Sequence, residues 1–178
     1  YNGRYGGCNV AAHSVMTYKL ARSLHPDDLH FAYGALMHDI HESICGDTIS
    51  PVKQSVPRLQ EIEERFQLAC MEAFEYSPHG EAVKRCDLQA LEMERNTFGK
   101  SENIWSTPME GSVHGLISPD VLPLYSNPKL AMMAFAECFA RCATIAMREK
   151  VRQAIKGNHP LANEHISGAW SVLNLLCQ

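Results

Sequence analysis

Residues 38–53 read HDIHESICGDTISPVK, which places two histidines, three carboxylates and a lysine within sixteen positions. The first part is predicted to end a helix, and Gly46 breaks the backbone before Asp47 follows on a loop. Glu42 lies four residues after His38, so on a continuing helix the two side chains project from one face. Histidine nitrogens and carboxylate oxygens are ligands for borderline divalent cations. The stretch therefore predicts a helix end suited to metal-assisted hydrolysis.

Helical periodicity extends on both sides of this stretch. The apolar spacing predicts a short helix ending at residue 176 and five longer ones, over residues 10–24, 26–39, 57–76, 81–98 and 128–156. Asn9 is the expected N-cap of the first helix. Residues 99–127 carry three prolines and three glycines and are predicted to form a long loop, typical of a lid or an oligomer contact. Because strand-like alternation is scarce, we expect an all-α fold with a single domain over residues 1–178.

The composition restricts the classes of function. A net charge of −4 leaves no basic excess to neutralise phosphates, which argues against binding to a nucleic-acid polymer. Seven cysteines without a CxxC pair argue against a disulfide framework or a zinc ribbon and favour a reducing cytosol. No run of about 18 apolar residues occurs, so no membrane span is expected. These features predict a cytoplasmic protein.

Two further side chains are able to complete a metal site with His38 and Asp39. His13 lies among apolar neighbours in the first predicted helix, and Asp87 lies in the middle of the helix over residues 81–98. A buried aspartate is costly unless it is paired or bound to a metal. Side chains of this kind from three helices suit a site that keeps positions open for water and substrate. The four residues are the predicted metal ligands.

Each of these residues also has a purely structural interpretation. The pair at residues 38–39 can act as a helix cap and dipole partner, and His13 can be a core histidine with satisfied hydrogen bonds. Asp87 can pair with Lys84 or Arg85 on its own helix. The metal interpretation is favoured because the residues occur together in one pattern.

That pattern resembles the HD-domain phosphohydrolases, whose fold is a helical bundle. The order His13, His38-Asp39 and Asp87 matches the family's H…HD…D pattern, with gaps of 25 and 48 residues. Residues 38–53 are similar to HDxxExxxGDxxTPVK, the motif of the bacterial 5′-deoxynucleotidase branch. The resemblance covers most of the chain. Within the branch it is strongest to small phage-borne enzymes that hydrolyse dATP to deoxyadenosine and triphosphate.

The resemblance implies a role for each group of residues. One divalent metal, with Mn, Co, Zn, Fe and Mg all open, would be held by His13, His38, Asp39 and Asp87. The catalytic residues would be Glu42 and Asp47. They would orient the attacking water, take up its proton or complete a second metal position.

Substrate contacts follow from the same resemblance. The phosphate chain would be bound by Lys53, Lys84 and Arg4. Glu94 and Arg95 lie two helical turns beyond Asp87 and are candidates to buttress the site. His41 is expected to be partly exposed or to stand behind the ligands.

The resemblance implies a metal-dependent hydrolase of deoxynucleotides, and most specifically a dATP triphosphohydrolase. The alternative enzyme is a 5′-deoxynucleotidase acting on deoxynucleoside monophosphates, which the sequence hardly separates from the first. A non-catalytic nucleotide-binding HD module is less favoured, because every expected ligand type is present. The expected partners are a deoxynucleotide and further copies of the chain, in a dimer or a hexamer. The expected location is the cytoplasm, that of the host if the protein is phage-encoded.

Overall fold

The computed structural model describes residues 9–48, 50–77, 80–99, 115–144 and 147–148. Every regular element in these segments is a helix, which confirms the predicted all-α fold. The helices are α1 (Val10–Leu24), α2 (Leu29–Met37), α3 (Glu42–Cys45), α4 (Ser50–Ser55), α5 (Pro57–Phe74), α6 (Gly80–Phe98), α7 (Leu122–Ser126) and α8 (Pro128–Cys142). No helix in these segments combines the length and the apolar character that spanning a bilayer requires.

Helix α1 is the central helix of the bundle. Its bounds are those predicted, and the Asn9 side chain caps it by accepting a hydrogen bond from the backbone N–H of Ala12 (2.9 Å). All residues from Ala12 to Tyr18 are buried, because α1 packs against α2, α6 and α8. A helix buried on nearly all sides must be apolar or must pair its polar groups. It carries His13, which is fully buried, into the interior of the protein.

Helix α2 is shorter than the predicted range of 26–39. The Asp28 side chain accepts a hydrogen bond from the backbone N–H of Phe31 (2.8 Å), and this cap sets the helix start at Leu29. Leu29, the first residue of the helix, is 44% exposed. Asp28 acts as the N-cap and therefore precedes the first turn of the helix, which explains why α2 starts later than predicted.

The backbone tightens directly after Met37. The N–H groups of Ile40 and Glu42 each donate to the carbonyl three residues earlier, at 3.0 Å. His38 and Glu42 therefore do not lie on a continuing α-helix, which was the condition under which their side chains would share one face. Because such turns have about three residues per turn rather than 3.6, their side chains point in directions that a regular helix would not give.

The predicted loop after this turn contains two short helices, α3 and α4. Gly46 ends α3 with φ at 78°, a conformation that favours glycine, and its N–H donates to the carbonyl of Glu42 (2.9 Å). Asp47 follows in irregular backbone, as predicted. Pro51 lies in the first turn of α4, where its missing N–H costs nothing.

Helix α6 faces α1 and α2. Its buried residues are Val83, Cys86, Asp87, Ala90, Glu92 and Glu94. Leu91 of the same helix is 37% exposed. The helix therefore buries three carboxylates, those of Asp87, Glu92 and Glu94.

Helix α5 packs against α3 and α4 at the edge of the bundle. Cys70 is the single buried residue among its 18. Ala69 and Ala73 of the same helix are exposed. The hydroxyl of Tyr33 donates to the carbonyl of Phe74 (2.8 Å) and so attaches the end of α5 to α2.

The C-terminal part departs most from the prediction. Helix α7 lies inside the predicted loop over residues 99–127, and α8 ends at Cys142 rather than at residue 156. The extended backbone of Ala143 (φ −66°, ψ 143°) ends α8, although no glycine or proline marks this position in the sequence. The predicted helix ending at residue 176 lies outside the described residues.

Candidate metal centre

The four predicted ligand side chains converge at one point in the bundle. Helix α1 contributes His13, α6 contributes Asp87, and the tight turn after α2 contributes His38 and Asp39. One ligand atom from each of the four lies within 4.8 Å of the others. The two shortest separations are 3.0 Å, from His38 Nε2 to Asp39 Oδ2, and 3.2 Å, from His13 Nε2 to Asp87 Oδ1. The two cross pairs, His13 with Asp39 and His38 with Asp87, are each separated by 3.9 Å.

These separations fit a shared divalent cation. Ligand atoms at about 2.1 Å from one ion lie about 3–4 Å from one another in tetrahedral geometry. Two imidazoles and two carboxylates form a donor set that suits Zn, Mn, Fe or Co. The buried His38 Nε2 also makes no aligned hydrogen bond within the described segments. The group is therefore able to hold a metal ion.

The outer nitrogens of both imidazoles are already engaged. His13 Nδ1 lies 2.8 Å from Glu94 Oε1, and His38 Nδ1 lies 2.9 Å from the backbone carbonyl of Ala35. Carboxylates and carbonyls only accept, so Nδ1 is the donor in each ring. In the neutral rings the lone pair then lies on Nε2, the nitrogen that faces the aspartates. This tautomer is the one that a metal ligand requires.

The charges in the cluster shift several pKa values. Burial lowers the pKa of His13, but hydrogen bonds to Asp87 and Glu94 outweigh this effect and raise it to about 10. Burial also lowers the pKa of His38, but the nearby carboxylates of Asp39 and Asp87 outweigh this effect and raise it to about 9. The two histidines hold the pKa values of both aspartates below the usual range, although burial acts in the opposite direction. Without a metal, both imidazoles therefore carry a proton on each nitrogen, and hence a positive charge, at neutral pH.

Metal binding is expected to release these protons. A metal ligand must be a neutral imidazole, so a cation has to displace the protons from His13 and His38 at pH 7. Since the pKa values of the two rings are raised, metal affinity should increase with pH until it approaches 9 to 10. Calorimetric titration with Mn²⁺ in buffers of different ionisation enthalpy measures the release. A binding heat that is independent of the buffer would contradict this expectation.

A buried carboxylate supports His13 from behind. Glu94, 2% exposed, accepts hydrogen bonds at the same oxygen from His13 Nδ1 (2.8 Å) and from the hydroxyl of Tyr125 (2.7 Å). Glu94 was a candidate from its position two turns beyond Asp87. Tyr125 was missed, because it belongs to α7 and no local pattern connects it with α1. Arg95 instead pairs with Glu92 (3.4 Å).

Loss of this support should weaken metal binding without removing it. Replacing Glu94 by alanine leaves the His13 ring without its acceptor, and such losses typically cost about 10–100-fold in metal affinity. Tyr125→Phe should cost less, because the carboxylate still accepts from His13. Tyr33→Phe, which removes a buried hydroxyl bonded to Phe74 instead, is the matched control. Equal affinities in all variants, measured by competition with a chelating indicator, would exclude the supporting role.

Glu42, one of the two predicted catalytic carboxylates, lies beside the cluster and is partly buried. Its side chain is 8% exposed, and its Oε2 has no hydrogen-bond partner within the described segments. Burial raises its pKa, and the negative charges of Asp39 and Asp47 raise it further, to about 7, against the opposing effect of Lys53. A carboxylate with such a pKa is suited to accept and return a proton near neutral pH. Asp47 acts on Glu42 through its charge, and it belongs to neither group of potential ligands among the described residues.

The predicted phosphate-binding residues are placed differently. Lys84 Nζ donates to Asp87 Oδ2 (2.6 Å). Asp87 therefore pairs with a lysine on its own helix and also belongs to the group of four potential ligands. The Lys84 side chain is 61% exposed and borders the cluster from the solvent side. Lys53 forms an ion pair with Glu63 on α5, a residue that the sequence did not suggest. Arg4 lies outside the described residues.

His41 is buried rather than partly exposed. Its Nε2 lies 3.4 Å from Glu63 Oε1. His41, Glu42 and Glu63 form a second group whose ligand atoms lie within 4.8 Å of one another. The short helices after the tight turn thus create a second polar cluster next to the first.

The fold and site define an all-α protein with a buried His/Asp group able to hold a metal. The chain is 32% identical over 104 residues to the uncharacterized protein YfdR of Escherichia coli (strain K12). The matched region is 58% of this chain and 55% of that relative. No family model matches the chain, and no solved structure matches it. The functional argument therefore depends on the chemistry of the two clusters.

Proposed function

We propose that the protein is a metal-dependent phosphohydrolase of deoxynucleotides, and most specifically that it hydrolyses dATP to deoxyadenosine and triphosphate. The observation that carries this proposal is the buried cluster of His13, His38, Asp39 and Asp87 beside Glu42, whose pKa lies near 7. The resemblance of residues 38–53 to the deoxynucleotidase motif supports the choice of substrate class. Oligomer formation with further copies of the chain is part of the same proposal.

The residues divide the chemistry between them. A bound divalent cation would supply a Lewis acid that polarises a phosphoryl oxygen and makes water more acidic. Glu42 is suited to take the proton from the attacking water and to pass a proton to the departing 5′-oxygen. Lys84, which is exposed and pairs with Asp87, would offset negative charge on the phosphate. Water attacks the α-phosphorus, and the bond from that phosphorus to the 5′-oxygen breaks.

One observation favours the 5′-deoxynucleotidase as a second candidate. A triphosphate needs more cationic contacts than a monophosphate does. Among the described residues near the cluster, Lys53 is paired with Glu63, and Lys84 is paired with Asp87. Both candidate reactions break the same phosphorus–oxygen bond, so one catalytic arrangement serves either substrate.

A substrate panel tests the proposal. The purified protein would be incubated with dNTPs, NTPs and dNMPs in the presence of Mn²⁺, Co²⁺, Zn²⁺ or Mg²⁺, and the products would be separated by chromatography. The expected products are deoxyadenosine and triphosphate from dATP, with ¹⁸O from labelled water found in the triphosphate. Hydrolysis of dNMPs with dNTPs untouched would establish the deoxynucleotidase instead. A metal-loaded protein inert toward every nucleotide would favour the non-catalytic binding module.

A further inference from the structure

The second cluster surrounds a positive charge that belongs to the protein itself. The ammonium of Lys53 on α4 forms an ion pair with Glu63 Oε1 on α5 and lies 3.9 Å from Glu42 Oε1. His41 Nε2 lies 3.4 Å from the same oxygen of Glu63. Two carboxylates thus face a single cation, and one of them also faces His41.

This cluster is shielded from solvent. The exposed fraction is 6% for the side chain of His41, 8% for that of Glu42, 19% for that of Glu63 and 20% for that of Lys53. Two carboxylates held together with so little water are stabilised by a neighbouring positive charge, because it offsets the repulsion between them. The ammonium of Lys53 supplies this charge.

The ammonium does not use the full bonding capacity of the cluster. His41 Nδ1 and Glu42 Oε2 are both buried and make no hydrogen bond within the described segments. One imidazole and two carboxylates are donors that a divalent ion of the Mn, Co or Zn type accepts. The cluster therefore has more potential metal ligands than an ion pair with one lysine uses.

We propose that His41, Glu42 and Glu63 form a second cation site, in which the ammonium of Lys53 holds the position that a divalent metal would otherwise take. In this arrangement Lys53 is a positioning residue for the Glu42 carboxylate and not a phosphate ligand. The cation site goes beyond the proposed function. Only the role of Glu42 as proton acceptor rests on the proposed function. The wild-type protein is then expected to bind a single tightly held metal, at the first cluster.

Removing the resident charge should open the site. Lys53→Met keeps much of the side-chain length but leaves Glu42 and Glu63 without their cation, so this variant should bind one Mn²⁺ more than the wild type. Lys53→Arg keeps the charge and is the matched control, with unchanged stoichiometry. Equilibrium dialysis against Mn²⁺, followed by elemental analysis of metal per chain, measures the difference directly. The added ion should be lost again when Glu63→Ala is combined with Lys53→Met.

Two results would overturn the inference. One is a metal content in Lys53→Met equal to that of the wild type, in protein that retains its first metal. The other is a second ion in the wild type that disappears in Glu63→Ala. Combining Lys53→Met with Asp39→Ala separates the inference from the proposed function. This double variant should bind one ion more than Asp39→Ala alone, even if the first cluster proves to bind no metal at all.

Discussion

Replacing Asp39 by alanine is expected to abolish both metal binding and nucleotide hydrolysis. Its Oδ2 lies 3.0 Å from His38 Nε2 and 3.9 Å from His13 Nε2, so this carboxylate faces both imidazoles. The variant loses one of four ligands and half of the negative charge that the cation would meet. The decrease in metal affinity should exceed the roughly 10–100-fold that follows from removing a hydrogen-bond partner of a ligand, such as Glu94.

Asp120→Ala provides the control for this experiment. Asp120 is an exposed aspartate that pairs with Lys19 on the surface. This variant should retain the metal content and turnover of the wild type. Metal per chain and dATP hydrolysis would be measured on both variants, with thermal unfolding as a test of folding. Turnover that persists in Asp39→Ala would show that the cluster is not the reactive centre.

Glu42→Gln is expected to lower turnover by roughly 10²–10⁴-fold, the range typical for loss of a group that transfers a proton. Glutamine has nearly the same shape as glutamate, but its amide cannot take up a proton from water. None of the four ligands of the first cluster changes, so the first metal should remain bound. A large fall in turnover without loss of metal would separate proton transfer from metal binding.

The pH profile provides an independent measure for Glu42. A base works in its ionised form, and the pKa of Glu42 is raised to about 7. With enough metal to saturate the first cluster at every pH, activity of the wild type should therefore rise as the pH increases through about 7, and this rise should be absent in Glu42→Gln. Glu61→Gln, at an exposed glutamate paired with Arg58, should keep the wild-type profile. An unchanged profile in Glu42→Gln would assign the proton to another group.

The sequence predicts those parts of the fold that local chemistry determines. Helix α1 begins where Asn9 caps it, and α5 begins at Pro57, a residue suited to the first turn of a helix. The two ends of α6 agree with the prediction to within one residue. The pattern of histidines and aspartates likewise predicts that His13 and Asp87 belong to one cluster, and they do, although 74 residues separate them along the chain.

The remaining features depend on contacts that no local pattern records. Glu63 and Tyr125 reach the two clusters from α5 and α7, through tertiary packing alone. The tight turn after Met37 and the extended backbone at Ala143 occur without a glycine or proline at those positions. Tertiary packing can override helix propensity at such points, and a periodic sequence does not reveal where it does so.

The first cluster, which contains His13 of α1, tolerates substitution less readily than the second cluster, which contains Glu63 of α5. The helical turn that carries His13 is packed on all sides, so most substitutions around it would unfold the protein before they could alter its chemistry. Helix α5 has a single buried residue and tolerates change more readily, yet it contributes Glu63 to the second cluster. Descendants of this protein would therefore acquire new substrate or metal preferences through α4 and α5, while the turn around His13 stayed fixed.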